Sequence, residues 1–139
     1  MSGDTTARDF ARSLAEPEKI VVTTVEGLKA ELRSYQQEGV GWLQNLRARQ
    51  VGGVLADDMG LGKTLQTIAH VTIEKNAGRL KDRPALIIAP TSLVMNWERE
   101  FKKFSPDLRV LAIHGAHRHN AYDGIRDADV VITSYPILC

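Results

Sequence analysis

Apolar residues along the chain fall into two arrangements: short unbroken runs, and positions spaced three or four apart. The runs Ala85-Leu86-Ile87-Ile88-Ala89, Arg109-Val110-Leu111-Ala112-Ile113 and Asp129-Val130-Val131-Ile132-Thr133 predict strands. The first has the character of a strand buried on both faces, and Pro90 ends it. Gly53-Val54-Leu55-Ala56 is a fourth strand-like run, and Ile20-Val21-Val22 is a short strand or an extended approach. The spaced positions predict helices. Tyr35, Gly39, Trp42, Leu43 and Leu46 share one helical side, with Ser34 as the N-cap. A second helix opens at Gly62-Lys63-Thr64, continues through Leu65 to Ala69 and stops near Asn76-Ala77-Gly78. In a third, Leu93, Trp97, Phe101 and Phe104 form the stripe, Thr91 or Ser92 the cap, and Ser105-Pro106-Asp107 the stop. His114 to Asp127 reads as a loop and a poorly patterned helix.

Strands alternating with helices predict a mostly parallel α/β sheet. In such sheets ligands sit beyond the carboxyl ends of the strands. Residues 60–64, 90–92, 114–115 and 133–134 all follow predicted strands, so they are expected to share one edge. Residues 1–19 are polar and read as a flexible tail. Residues 20–139 then form one domain, since 139 residues fit one core but hardly two.

Composition narrows the classes. With 43% hydrophobic and 25% charged residues, the chain is globular in character, and a net charge of +1 supplies no global field for nucleic acid. Any nucleic-acid binding must therefore be local. The single cysteine, Cys139, excludes a disulfide framework and a cysteine-based metal site. No apolar run approaches membrane-spanning length, and Met1-Ser2-Gly3-Asp4 lacks a basic-then-apolar layout.

The stretch that carries chemistry is Asp57-Asp58-Met59-Gly60-Leu61-Gly62-Lys63-Thr64. A glycine-punctuated loop between a strand-like run and a helix start turns backbone N–H groups onto an anion. Lys63 can reach terminal phosphates, and Thr64 can offer its hydroxyl to Mg²⁺. Asp57 stands where the strict phosphate-loop pattern has glycine. Asp57 and Asp58 are read as setting the turn and the local dipole. His114, His117 and His119 lack a completing ligand set and read as a solvated loop. Trp42, Trp97, Phe101 and Phe104 read as core rather than as base-stacking groups.

Four stretches in order resemble one family. Residues 32–43, Leu-Arg-Ser-Tyr-Gln-Gln-Glu-Gly-Val-Gly-Trp-Leu, resemble the glutamine motif of the Swi/Snf-type ATPases of helicase superfamily two. Residues 57–66 resemble its motif I, which also begins with Asp. Residues 88–100, Ile-Ala-Pro-Thr-Ser-Leu-Val-Met-Asn-Trp-Glu-Arg-Glu, resemble motif Ia, and residues 131–135, Val-Ile-Thr-Ser-Tyr, motif Ib. The resemblance covers residues 28–139, and the Asp57-Asp58 pair leans toward the bacterial branch.

The resemblance implies the first lobe of a DNA-dependent ATPase that translocates on double-stranded DNA. The implied fold is a three-layer RecA-like P-loop domain, incomplete at the C-terminus. ATP and Mg²⁺ are the implied cofactors. Gln36 would contact adenine, Asp58, Met59, Gly60, Leu61, Gly62, Lys63 and Thr64 would hold the phosphates, and Thr64 would face Mg²⁺. Lys63 and Thr64 would serve catalysis, and Thr91, Ser92, Thr133 and Ser134 would touch the DNA backbone. The implied location is the bacterial cytoplasm at the nucleoid, or the nucleus in a eukaryote. The family's motif II, Asp-Glu-x-His, has no counterpart in the chain, and neither does the second lobe with its arginine finger. The chain is therefore expected to be a fragment that binds nucleotide without appreciable hydrolysis, with an unpaired strand edge or an uncovered apolar face. The alternatives are a non-catalytic α/β interaction module that retains the phosphate-loop scaffold and, with less support, another P-loop enzyme such as a small kinase.

Overall fold

The computed structural model describes residues 22–55, 63–113 and 122–135. Three helices, one 3₁₀ turn and three strands are formed among these residues. They are α1 (Ser34–Ala48), α2 (Lys63–Asn76), β1 (Ala85–Ala89), α3 (Thr91–Phe104), β2 (Val110–Ala112), a 3₁₀ turn (Tyr122–Asp127) and β3 (Val130–Ser134). The strands form one parallel sheet in the order β1-β3-β2. The parallel α/β expectation therefore holds.

The register explains the core. Ala85, Ile87, Val130, Ile132, Val110 and Ala112 lie on one face. There they pack with Ile68 and Val71 of α2 and Val94 and Phe101 of α3. On the other face Val131 packs with Ile113, Ala128, Leu111 and Ile125. β3, paired on both sides, is buried along its whole length. β1 differs from the expectation: Leu86 is 55% exposed and Ile88 41%. They point to the face away from α2 and α3, and among the described residues β1 is an edge strand whose outer face is uncovered.

The run before the phosphate loop also differs. Val51 to Leu55 lie outside the sheet, and Val54 is exposed. Gly53 explains the course of this segment. A Cβ there would come within 2.9 Å of the Trp42 ring and would overlap Leu46, so the backbone lies against α1 instead.

The helix starts are not set by the hydroxyl caps that the sequence suggests. Ser34 is the first helical residue of α1, not its cap. Gln36 Oε1 accepts from the Arg33 backbone N–H at 2.8 Å and satisfies that group. Thr91 opens α3 after Pro90, with no side-chain cap bond. α2 stops as expected: Gly78 adopts φ +76°, and the N–H groups of Gly78 and Arg79 bond back to Lys75 and Glu74. The segment before α1 is tied down by Lys29 N–H to Phe104 O at 2.7 Å and by Asn76 Nδ2 to Glu26 O at 2.8 Å.

Candidate nucleotide-binding site

The site is built on the α1–α2 pair. Every fourth residue of α2, Gln66, His70 and Glu74, faces α1. Gln66 abuts Gly39, and Gln44 Nε2 donates to His70 Nδ1 at 2.8 Å and to Glu74 Oε1 at 3.2 Å. Arg47 approaches Glu74 at 3.5 Å. Contacts thus advance along both helices together, from Gly39–Gln66 to Arg47–Glu74. The helices run in the same direction, and their first turns lie at the same end. That end carries Gln36 on α1 and Lys63 and Thr64 on α2. The buried Val40 and Ala69 fill the interface between them.

The far end of the pair is an electrostatic clamp. Arg79 Nε and Nη2 donate to the two Glu74 oxygens at 2.6 and 2.9 Å. Burial alone pushes the Glu74 carboxyl up, but the Arg79 hydrogen bond and charge bring it below its ordinary value. Burial pushes His70 down, against the pull of Glu74, which favours the neutral ring whose Nδ1 accepts from the Gln44 amide.

Gln36 is buried, one oxygen lone pair committed to Arg33. Lys63 and Thr64 are half-buried at the start of α2. Asp57, Asp58, Met59, Gly60, Leu61 and Gly62 lie outside the described residues, as do His114, His117 and His119.

The β1–β3 register brings Ala89 opposite Ser134, so Thr91-Ser92 and Thr133-Ser134 share one edge of the sheet. The two pairs differ in access. Thr91 and Ser92 are exposed, and Pro90 rather than either of them holds the N-cap position. Thr133 and Ser134 are 3% and 1% exposed, so neither hydroxyl is open to a duplex in this arrangement. Of the aromatic residues read as core, the three on α3 fall there, while Trp42 is half-buried beside Gly53 and joins none of the core clusters among the described residues. Phe101 is fully buried, and Trp97 and Phe104 pack beside it. Leu93 does not join them: it is exposed, and Val94 takes its place.

Sequence reasoning missed the polar stripe Gln66-His70-Glu74. Its signal was present as three polar residues four apart, but that pattern equally describes a wet helix face.

The SNF2-related domain family model matches residues 35–139. Among curated proteins, the chain is 46% identical over 132 residues to YwqA of Bacillus subtilis, named for an ATP-dependent helicase/translocase. That alignment covers 92% of this chain and 14% of YwqA. It is 37% identical to the TATA-binding protein-associated factor MOT1 of Saccharomyces cerevisiae, covering 94% of this chain and 8% of that protein. Among solved structures, the SWI2/SNF2 ATPase core of Sulfolobus solfataricus in complex with double-stranded DNA superposes with a TM-score of 0.73 at 42% identity. The superposition covers 81% of this chain and 23% of that one. The chain thus spans a small part of the length of these relatives. A parallel sheet of this topology, the α1–α2 pair with Gln36 and Lys63 at one end, and a family match over three quarters of its length establish that the chain belongs to the SNF2-related domain family, with the RecA-like fold of the SWI2/SNF2 ATPase core.

Proposed function

We propose that the chain is the ATP-binding part of a motor that translocates on double-stranded DNA. The observation that carries this reading is the shared end of α1 and α2. An ammonium group at a helix start opposes the helix dipole unless an anion sits there, and Lys63 opens α2. A triphosphate is that anion, with Lys63 on its terminal phosphates and Gln36 at its adenine. Thr64 is placed beside Lys63 to present its hydroxyl to Mg²⁺, which neutralises phosphate charge when bound. Asp58, Met59, Gly60, Leu61 and Gly62 complete the phosphate loop in this reading through their match to the family motif. The exposed Thr91 and Ser92, at the first turn of α3, are placed to meet a DNA phosphate. The duplex bound by the Sulfolobus core supports the choice of partner.

The chain carries no Asp-Glu-x-His sequence, so binding without turnover is expected. Lys63→Ala should weaken Mg·ATP binding by at least about tenfold, measured by calorimetry. Equal binding by both forms, or none by either, would sink the assignment. The exposed Leu86 and Ile88 favour a second reading, a non-catalytic interaction module. A protein partner whose capture is blind to nucleotide and to Lys63→Ala would support it.

A further inference from the structure

Two observations meet at Gln66. This side chain lies in the first turn of α2, three residues past Lys63, and is 1% exposed. Among the described residues its Nε2 has no hydrogen-bond partner, which is a costly state for a buried donor. Across from it is Gly39. A Cβ on Gly39 would overlap Gln66 Oε1 and lie 2.8 Å from its Cδ. Gly39 stands one turn past Gln36, on the same side of α1. The helix that begins with Lys63 therefore presses a carboxamide onto the helix that carries Gln36, where any Cβ would force that carboxamide to move.

An apolar side chain of similar length would fill this space without an unpaired donor. The carboxamide sits there against the local energetics, at the end of the interface nearest both Gln36 and Lys63. The other end is already closed by the Gln44, His70 and Glu74 hydrogen bonds, so it does not need Gln66.

We infer that Gln66, seated on Gly39, is a positioning residue that sets the distance between the adenine-reading helix and the phosphate-gripping helix. The inference rests on the nucleotide reading above. Adenine and triphosphate are two ends of one ligand. Both are held together only when Gln36 and Lys63 stand at the matching separation, and a small displacement forfeits part of the joint binding. A ligand with phosphates alone does not sense that separation. Gln66 therefore discriminates between nucleotides and bare polyphosphate without touching either.

The test compares Mg·ATP with Mg·tripolyphosphate on the full chain by calorimetry, with thermal unfolding recorded for every variant. The wild type should bind both. Gln66→Leu should weaken ATP about tenfold while tripolyphosphate changes by less than about twofold. Gly39→Ala should show the same selective loss, and adding Gln66→Ala to it should restore thermal stability by vacating the space the new methyl needs. Equal losses for both ligands, or none for either, in a folded Gln66→Leu would overturn the inference while leaving the nucleotide site intact. So would a Gly39→Ala chain as stable and as ATP-competent as the wild type. A wild type that binds neither ligand would remove the nucleotide reading itself, and this inference with it.

Discussion

Asp129 stands just before β3 with its side chain 2% exposed, yet it is fully provided for. Its carboxylate accepts from Lys75 Nζ at 2.8 Å, from the Arg109 backbone N–H at 2.9 Å and from Arg109 Nη2 at 3.3 Å. Burial pushes its pKa up, but these donors win and hold it below the ordinary carboxylate range. The stability it contributes is therefore fully present above the ordinary carboxylate range. That contribution is lost as pH falls through the lower folded-state value. Asp129→Asn should lower the unfolding free energy at neutral pH by about 1–3 kcal/mol. The gap to the wild type should close in acid, which urea titrations at several pH values would show. A gap that widened in acid would contradict the arrangement. The sequence places Asp129 at a strand start, but Lys75 lies 54 residues away, and no local pattern reports such a pairing.

At the scale of one element, α3 shows how a correct helix can carry a misplaced residue. Leu93, Trp97, Phe101 and Phe104 have helical spacing, and so do Val94, Trp97, Phe101 and Phe104. Spacing selects a helix but does not choose between neighbouring positions at its first turn. The sheet face decides it, burying Val94 and leaving Leu93 at the rim. Phe101→Ala should cost about 3–5 kcal/mol of stability. Leu93→Ala should cost less than about 0.5 kcal/mol. Chemical denaturation of the two variants would expose an error if their losses were alike. α1 repeats the lesson. Its buried positions are Gln36, Val40, Gly41 and Asn45, while Tyr35, Gly39, Trp42, Leu43 and Leu46 are half-buried. Two of these buried residues are polar and satisfied close by, Gln36 through Arg33 and Asn45 through Arg49. An apolar stripe could not reveal them.

For the whole molecule the asymmetry of the sheet matters most. Among the described residues one face is covered by α2 and α3, while on the other Leu86 and Ile88 of the edge strand β1 remain open. Exposed apolar residues on an edge strand favour association. The chain should self-associate with rising concentration in sedimentation experiments. Leu86→Thr combined with Ile88→Thr should shift it toward monomer with little change in unfolding midpoint, because neither side chain is in the core. A wild type that stays monomeric throughout would refute this. Among the described residues no helix is long and apolar enough to cross a membrane.

By itself the sequence determined the alternation of strands and helices, the stops at Gly78 and Ser105, the parallel sheet and the family. These depend on local periodicity, on turn chemistry and on motifs whose order survives without a structure. Only the tertiary structure decided that Val51 to Leu55 leave the sheet, that β1 is an edge, that Thr91 and Ser92 are open while Thr133 and Ser134 are shut, and that Gln36 and Lys63 come to one end of a parallel helix pair. Each of these depends on which surfaces meet. Burial and direction arise from contacts between residues far apart in the chain, such as Gly39 with Gln66 and Lys75 with Asp129, and such contacts leave no periodic trace in either partner's own neighbourhood.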